Sequence, residues 1–138
     1  MMSAGCPVIV DTSALVAILH EEADAELYAE SLRSAERIRI SAGTLLEAGI
    51  VIDGNRSPLL SRRLDELVNA VPLVVEPVTR EQALIARAAY RDYGRGSGHP
   101  ARLNFGDCFA YALARATGEP LLFKGDDFHH TDITPALA

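Results

Sequence analysis

The sequence predicts a three-layer α/β domain, in which a mostly parallel central sheet is covered by helices on both faces. Short runs of β-branched residues alternate along the chain with segments of helical periodicity. The 138 residues suit a single domain, 1–138, that can bury a sizeable core. A hydrophobic content of 49% with 23% charged residues excludes a disordered chain.

The first half of the chain predicts two strands, each followed by helices. A β-branched run ends at Asp11 and turns directly into a helix, which is how a parallel α/β unit begins. Asp53, Gly54 and Asn55 end the last helix of this half. The predicted elements are a strand at 8–10, a helix at 13–20, a helix at 22–33, a strand at 37–40 and a helix from 41–44 to about 52.

The second half repeats the alternation of helix and strand. Pro58 stands near a first helical position, Thr79 and Gln82 form a capping-box pattern, and Gly118 is typical of a helix end. Ile133 is expected to begin a last edge strand. The remaining predicted elements are a helix at 57–69, a strand at 72–75, a helix at 79–90, a Gly-rich loop at 93–100, a helix at 104–116 and a strand at 120–123.

The charge balance excludes a protein held on nucleic acid mainly by bulk positive charge. Nineteen acidic residues face 13 basic ones, for a net charge of -6. Twelve of the basic residues are Arg, whose planar guanidinium suits phosphate or carboxylate, and only Lys124 is Lys. Acids concentrate in 21–30 and arginines in 80–102. The arginines suit either contacts to phosphate or a solvated helix with a flexible loop.

The cysteines and the N-terminal segment indicate a cytoplasmic protein. Cys6 and Cys108 are too few for a disulfide framework and lack the spacing of a zinc or redox site. The N-terminus has no basic region of the kind that precedes a secretion signal. The apolar stretch 8–19 is interrupted by 11–13 and is too short to span a bilayer. We expect neither secretion nor membrane insertion.

Acidic residues recur at the predicted strand ends and helix starts. Parallel α/β folds bring these positions to one edge of the sheet, where ligands bind. Several carboxylates would repel one another there unless a cation stood between them. Oxygen ligands without His or Cys select Mg²⁺, with Mn²⁺ as a substitute. The candidate ligands are Asp11, Glu47, Asp107 and either Asp126 or Asp127.

Each acid also has a purely structural explanation. Asp11 can cap the first helix, and Glu47 can belong to a capping box that begins at Thr44. Asp107 can complement the dipole of a helix capped by Asn104. The pair after the last strand can be an ordinary turn. These alternatives predict helix caps without a shared site.

Four segments together make the sequence resemble the PIN-domain nucleases, and within them the VapC-type toxins of bacterial toxin–antitoxin pairs. The segments are VIVDTSAL at 8–15, SAGTLLE at 41–47, LNFGDCFAYALA at 103–114 and LLFKGDDF at 121–128. The resemblance spans nearly the whole chain. It implies a PIN-like domain and a Mg²⁺-dependent endoribonuclease that cuts RNA with a metal-activated water.

The resemblance also implies roles for individual residues. Asp11 and Asp107 become principal metal ligands, with Glu47 as a further ligand or water-orienting acid. Many relatives place an Asp at the position of Gly125, so the fourth carboxylate is assigned to Asp126, with Asp127 as the alternative. Hydroxyls at Thr12 and Ser13 are implied as hydrogen-bond donors to Asp11 or to a metal-bound water.

Partners follow from the same resemblance. It implies an RNA substrate, a cognate VapB-type antitoxin, and a homodimer or a toxin–antitoxin hetero-oligomer. Two other enzyme classes also begin with an acid at a strand end. An aspartate-nucleophile phosphatase requires a second Asp at the position of Ser13, and a response-regulator receiver requires an acidic pair that this chain lacks. The non-enzymatic alternative is an RNA- or protein-binding module whose acids are only caps.

Overall fold

The computed structural model describes residues 5–137. Residues 1–4 and 138 lie outside this range. The prediction that the N-terminus carries no secretion signal therefore falls mostly outside the described residues. Four strands and six α-helices follow in the predicted order. They are β1 (Pro7–Val10), α1 (Thr12–Leu19), α2 (Ala25–Ser34), β2 (Arg37–Ser41), α3 (Ala42–Asp53), α4 (Pro58–Ala70), β3 (Leu73–Glu76), α5 (Arg80–Tyr93), α6 (Phe105–Thr117) and β4 (Leu121–Leu122), with a 3-10 helix at Asp127–His130.

The four strands form one parallel sheet in the order β3-β2-β1-β4. Alternate residues of β1 enter cores on opposite sides of the sheet. Ile9 packs with side chains of α6, whereas Val8 and Val10 pack with side chains of α1 and α2. The predicted three-layer α/β fold with a parallel sheet is therefore confirmed.

Two local predictions differ from the structure. The second helix begins at Ala25, three residues later than predicted, because residues 20–24 form turns in which Glu22 N–H bonds back to the Ala17 carbonyl. The predicted edge strand at Ile133 is wrong. The chain there makes only an isolated bridge between Leu121 and Pro135, and proline has no N–H with which to extend a ladder.

The topology places the carboxyl ends of β1 and β2 beside helix starts. Only Asp11 lies between β1 and α1, and β2 ends at Ser41, directly before the first residue of α3. β4 pairs with β1 and carries the chain past the same edge. In residues 5–137 no helix is long and apolar enough to cross a bilayer.

Candidate active site

Asp11 lies at the centre of this edge. It is the N-cap of α1, with extended backbone angles (φ -93°, ψ 157°), and only 3% of it is exposed. Its Oδ2 accepts hydrogen bonds from the Ser13 N–H at 3.0 Å and the Ser13 hydroxyl at 2.7 Å. Its Oδ1 is buried and accepts no hydrogen bond within residues 5–137. The cap explanation is thus correct for one oxygen and leaves the other available.

Ser13 connects Asp11 to the segment after β4. Its hydroxyl donates to Asp11 and accepts a hydrogen bond from the Lys124 N–H at 2.9 Å. The Lys124 ammonium in turn binds Glu22 and Asp24, in the turn between α1 and α2. The loop after β4 is therefore held at the start of α1 by the Lys124 backbone and at the turn after α1 by the Lys124 side chain.

Glu47 reaches the same edge from α3. Its Oε1 accepts a 2.7 Å hydrogen bond from the Thr12 hydroxyl, so the expected donor contact from Thr12 goes to Glu47. The capping-box explanation of Glu47 is wrong. Ser41 is the N-cap of α3, with its side chain accepting from the Gly43 N–H, and this places Glu47 in the second turn, beyond the reach of a capping box.

Gly106 permits close packing between α3 and α6. A Cβ at this position would lie 1.7 Å from Oε2 of Glu47, which is far too close for two non-bonded heavy atoms. The carboxylate of Glu47 therefore fits against α6 only because residue 106 is glycine. Sequence reasoning missed this residue, although a glycine beside an acid at a helix start was the available signal.

Asp107 completes a capping box at the start of α6. The Asn104 side chain accepts a 2.8 Å bond from the Asp107 N–H, and Asp107 Oδ2 accepts a 3.0 Å bond from the Asn104 N–H. The predicted Asn104 cap is confirmed. The hydrogen bonds fix the carboxylate at the helix N-terminus, where the dipole favours negative charge.

The two aspartates have pKa values far above the ordinary value for Asp. The pKa of Asp107 is raised to about 7, mainly by burial and also by the charges of Asp11, Asp127 and Glu47, against the lowering effect of the Asn104 N–H. Burial raises the pKa of Asp11 to about 6, with a contribution from Glu47, although the bonds from Ser13 lower it. The acids therefore lie close enough to repel one another.

The structure gives different information about the two candidates for the fourth acid. Asp126 and Asp127 are both exposed, and Asp127 opens the 3-10 helix for which Asp126 is the N-cap. Of these two, Asp127 is the residue whose charge raises the pKa of Asp107. Asp126, assigned from the sequence, stays a prediction.

The cluster suits a divalent cation by its chemistry. In residues 5–137 none of its acids forms a salt bridge with Lys, Arg or His. No three His, Cys, Asp or Glu side chains in this range stand in a ready metal-binding arrangement. Magnesium, however, needs only one or two carboxylates and completes its shell with water and substrate. The unpartnered Oδ1 of Asp11 beside Asp107 fits that requirement.

Comparisons with known proteins identify the family and the fold. The PIN-domain family model matches residues 8–133. Ribonuclease VapC28 of Mycobacterium tuberculosis is 60% identical over 129 residues, which cover 94% of this chain and 97% of that protein. Two solved structures share the fold at lower identity. The first is M. tuberculosis VapC20, a sarcin-ricin loop cleaving toxin, with a TM-score of 0.72 and 18% identity over 92% of this chain and 96% of that chain. The second is a toxin–antitoxin complex from Klebsiella pneumoniae, with a TM-score of 0.65 and 16% identity over 88% of this chain and 89% of that chain.

Proposed function

The chain belongs to the PIN-domain family and, within it, to the VapC ribonucleases, and on this premise we propose that its carboxylate site cuts RNA with the help of a divalent cation. It is an endoribonuclease, the toxin of a toxin–antitoxin pair. The observation that supports the site is the convergence of Asp11, Glu47 and Asp107 at one sheet edge, where no Lys, Arg or His of residues 5–137 forms a salt bridge with them.

We assign metal binding to Asp11, Asp107, Glu47 and a fourth acid at 126 or 127. A bound Mg²⁺, for which Mn²⁺ could substitute, would neutralise these charges, polarise the scissile phosphate and activate the attacking water. Asp11 presents its free Oδ1, because Ser13 occupies the other oxygen. Asp107 presents a carboxylate fixed by Asn104. These two acids hold the charge that attracts the cation.

Glu47 takes the role of orienting the attacking water. The 2.7 Å bond from Thr12 fixes one of its oxygens, and Gly106 leaves room for the other against α6. A carboxylate held in this way can accept a proton from water as the water attacks the phosphorus in line. No nucleophilic side chain is needed, and burial raises the pKa of Cys108 to about 11, which keeps its thiol protonated.

Free arginines support RNA as the substrate. In the arginine-rich segment 80–102 only Arg91 forms a salt bridge, with Asp92, whereas four other arginines form none within residues 5–137. Exposed guanidinium groups without an internal partner are suited to phosphate oxygens. The four are Arg80, Arg87, Arg95 and Arg102.

An antitoxin partner follows from membership of the VapC group. We propose a VapB-type antitoxin whose own Arg could reach the carboxylates and replace the charge of the cation. We further propose that 1–138 acts as one domain, in the cytoplasm, either as a homodimer or in a toxin–antitoxin hetero-oligomer.

Cleavage of RNA by the purified chain tests the proposed function. Total RNA is incubated with the protein and Mg²⁺, Mn²⁺ or excess EDTA, and the products are mapped at their ends. We expect discrete cuts with either metal and none in EDTA. Asp107→Asn keeps the helix cap, since an amide oxygen still accepts from Asn104, but should remove cleavage. Intact RNA in every metal, or cuts that persist in EDTA, would refute the metal-nuclease assignment.

A further inference from the structure

A groove of about 350 Å³ lies between α5 and the start of α6. We propose that this groove holds an unpaired nucleobase of the RNA, stacked on Phe105, next to the phosphate that is cut. The inference rests on the function proposed above and adds to it a base-binding subsite. It makes Phe105 a substrate-binding residue of a reaction whose charged groups lie two residues away.

Phe105 is unusually exposed for a large aromatic residue. It is the first residue of α6 and 77% of it is accessible to solvent. Most side chains of this size are largely buried, because contact with water is unfavourable for an apolar ring. Phe105 and Asp107 both lie in the first turn of α6 but point to opposite sides of the helix axis. A nucleotide that crosses the N-terminus of α6 can therefore place its phosphate at the carboxylates and its base on this ring.

The ring of Phe105 is held in place by a second ring. Phe105 and Phe109 meet edge to face, with centroids 5.0 Å apart. Phe109 is itself fixed against α3, since a Cβ on Gly43 would lie 2.3 Å from its ring. The aromatic platform is therefore connected through Phe109 to the helix that carries Glu47. A ring already fixed in this way loses little conformational freedom when a base stacks on it.

The walls of the groove are almost entirely apolar, which matches the faces of a base. Stacking of a nucleobase on an aromatic side chain tolerates every base, because each has a π face. The groove, with a volume of about 350 Å³, leaves room for a planar base beside Phe105. Its lining residues are Val78, Ala83, Ala86, Arg87, Tyr90, Phe105, Cys108 and Phe109.

Charge favours RNA over an apolar segment of a protein as the occupant. Arg87 is the only charged residue of the groove and is one of the arginines without a salt bridge in residues 5–137. Its exposed guanidinium can meet the sugar-phosphate backbone of a nucleotide whose base is inserted. The groove thus offers a ring for the base and a guanidinium for the phosphate, the combination that binds single-stranded nucleic acid.

Substitution of Phe105 tests the subsite. Cleavage of a single-stranded oligoribonucleotide is measured for Phe105→Ala, for Phe105→Trp and for Leu84→Ala, which removes another exposed apolar side chain from α5 outside the groove. Phe105→Ala should raise KM about tenfold or more with a smaller change in kcat, because stacking contributes to binding. Phe105→Trp should restore KM, and Leu84→Ala should resemble the wild type. An unchanged KM for Phe105→Ala would overturn the proposal.

A modified substrate separates stacking from a general loss of affinity. When the nucleotide beside the cut lacks its base, wild type and Phe105→Ala should have the same KM. A tenfold difference that persists without the base would overturn the stacking role. Normal RNA cleavage by Phe105→Ala combined with loss of a co-expressed protein partner would instead assign the groove to the protein.

Binding measurements keep the test independent of the nuclease assignment. Fluorescence anisotropy of a labelled oligoribonucleotide in EDTA reports affinity without cleavage. If the wild type cuts no RNA, the proposed function fails. The groove is then decided by whether Phe105→Ala weakens binding relative to Leu84→Ala in this assay, and equal affinities would overturn it.

Discussion

Two groups of acidic residues in this chain differ in how their charge is balanced. On α2, Glu26 and Glu30 are exposed, and both form ion pairs with Arg33. At the carboxyl edge of the sheet, Asp11 and Asp107 are buried or half-buried and have no basic partner within residues 5–137. The acids of the first group share one basic partner, whereas those of the second group have none in that range.

This difference shows where the chain accepts a cost in stability. Exposed ion pairs add little to the free energy of unfolding, and their loss is tolerated. Buried carboxylates without a partner oppose folding, which is why their pKa values rise. Strain of this kind clusters at functional sites. A cation from solution would relieve the repulsion at the site, whereas at α2 both acids already have Arg33 as a partner.

The largest expected effect is the loss of cleavage in Asp11→Asn. The amide still accepts from Ser13, but it removes the charge that attracts the cation, and activity should fall on the order of 100-fold or more. The unfolding temperature without metal should rise, because a buried charge is lost. Glu30→Gln serves as the matched control on α2 and should leave activity unchanged. An active Asp11→Asn would remove this residue from the site.

Gly106→Ala is expected to have the next largest effect. The new Cβ must displace the carboxylate of Glu47, which lies 1.7 Å from that point, and a displaced acid should lower kcat roughly 10- to 100-fold. The end of a flexible side chain can move at little cost, so the unfolding temperature should change little. Gly49→Ala on α3 is the control, since its Cβ meets nothing within 4 Å. Wild-type kcat in Gly106→Ala would show that Glu47 need not lie there.

The pH dependence of stability distinguishes the acids at the sheet edge from those on α2 and requires no measurement of activity. Asp107 has a pKa of about 7 in the folded protein, well above the ordinary value of 3.8 for an Asp side chain, so the folded state holds its proton more tightly. Raising the pH from about 4 to 7 should therefore destabilise the metal-free protein through this residue, with the loss complete above 7.

The matching measurement is the difference in unfolding temperature between wild type and Asp107→Asn in EDTA from pH 4 to pH 8. The wild type should lose on the order of 10 °C or more relative to the variant across this range. Mg²⁺ at pH 8 should restore most of the difference in favour of the wild type. A difference that does not vary with pH would show that Asp107 is not buried as the geometry indicates.

Local sequence signals predicted the fold and one part of the site well. The β-branched strands, the Thr79 and Asn104 caps and the end of α6 at Gly118 are encoded by neighbouring residues, and all three features are present in the structure. Asp11 was recognisable because a strand that ends in an acid and turns into a helix places that acid at the sheet edge. These features depend on few residues that lie close along the chain.

Features that depend on contacts between distant segments were not predictable. The bond from Thr12 to Glu47 spans 35 residues, and the fit of Glu47 against Gly106 joins two helices that the sequence does not pair. The choice between Asp126 and Asp127 depends on the path of one turn. Such details follow from how α3, α6 and the loop after β4 meet in space.

The smallest expected effect comes from removing the ion pairs on α2. Arg33→Ala removes the cation shared by Glu26 and Glu30, whose side chains are 82% and 64% exposed, so solvent and salt already screen the interaction. The unfolding temperature should stay within about 2 °C of the wild type, and cleavage should not change. Thermal unfolding and cleavage kinetics at low and high salt measure both. A larger, salt-sensitive loss of stability would mean that the α2 acids repel one another strongly once Arg33 is gone, like the acids at the sheet edge. The two groups would then differ only in whether they have a basic partner, and burial would not explain the difference.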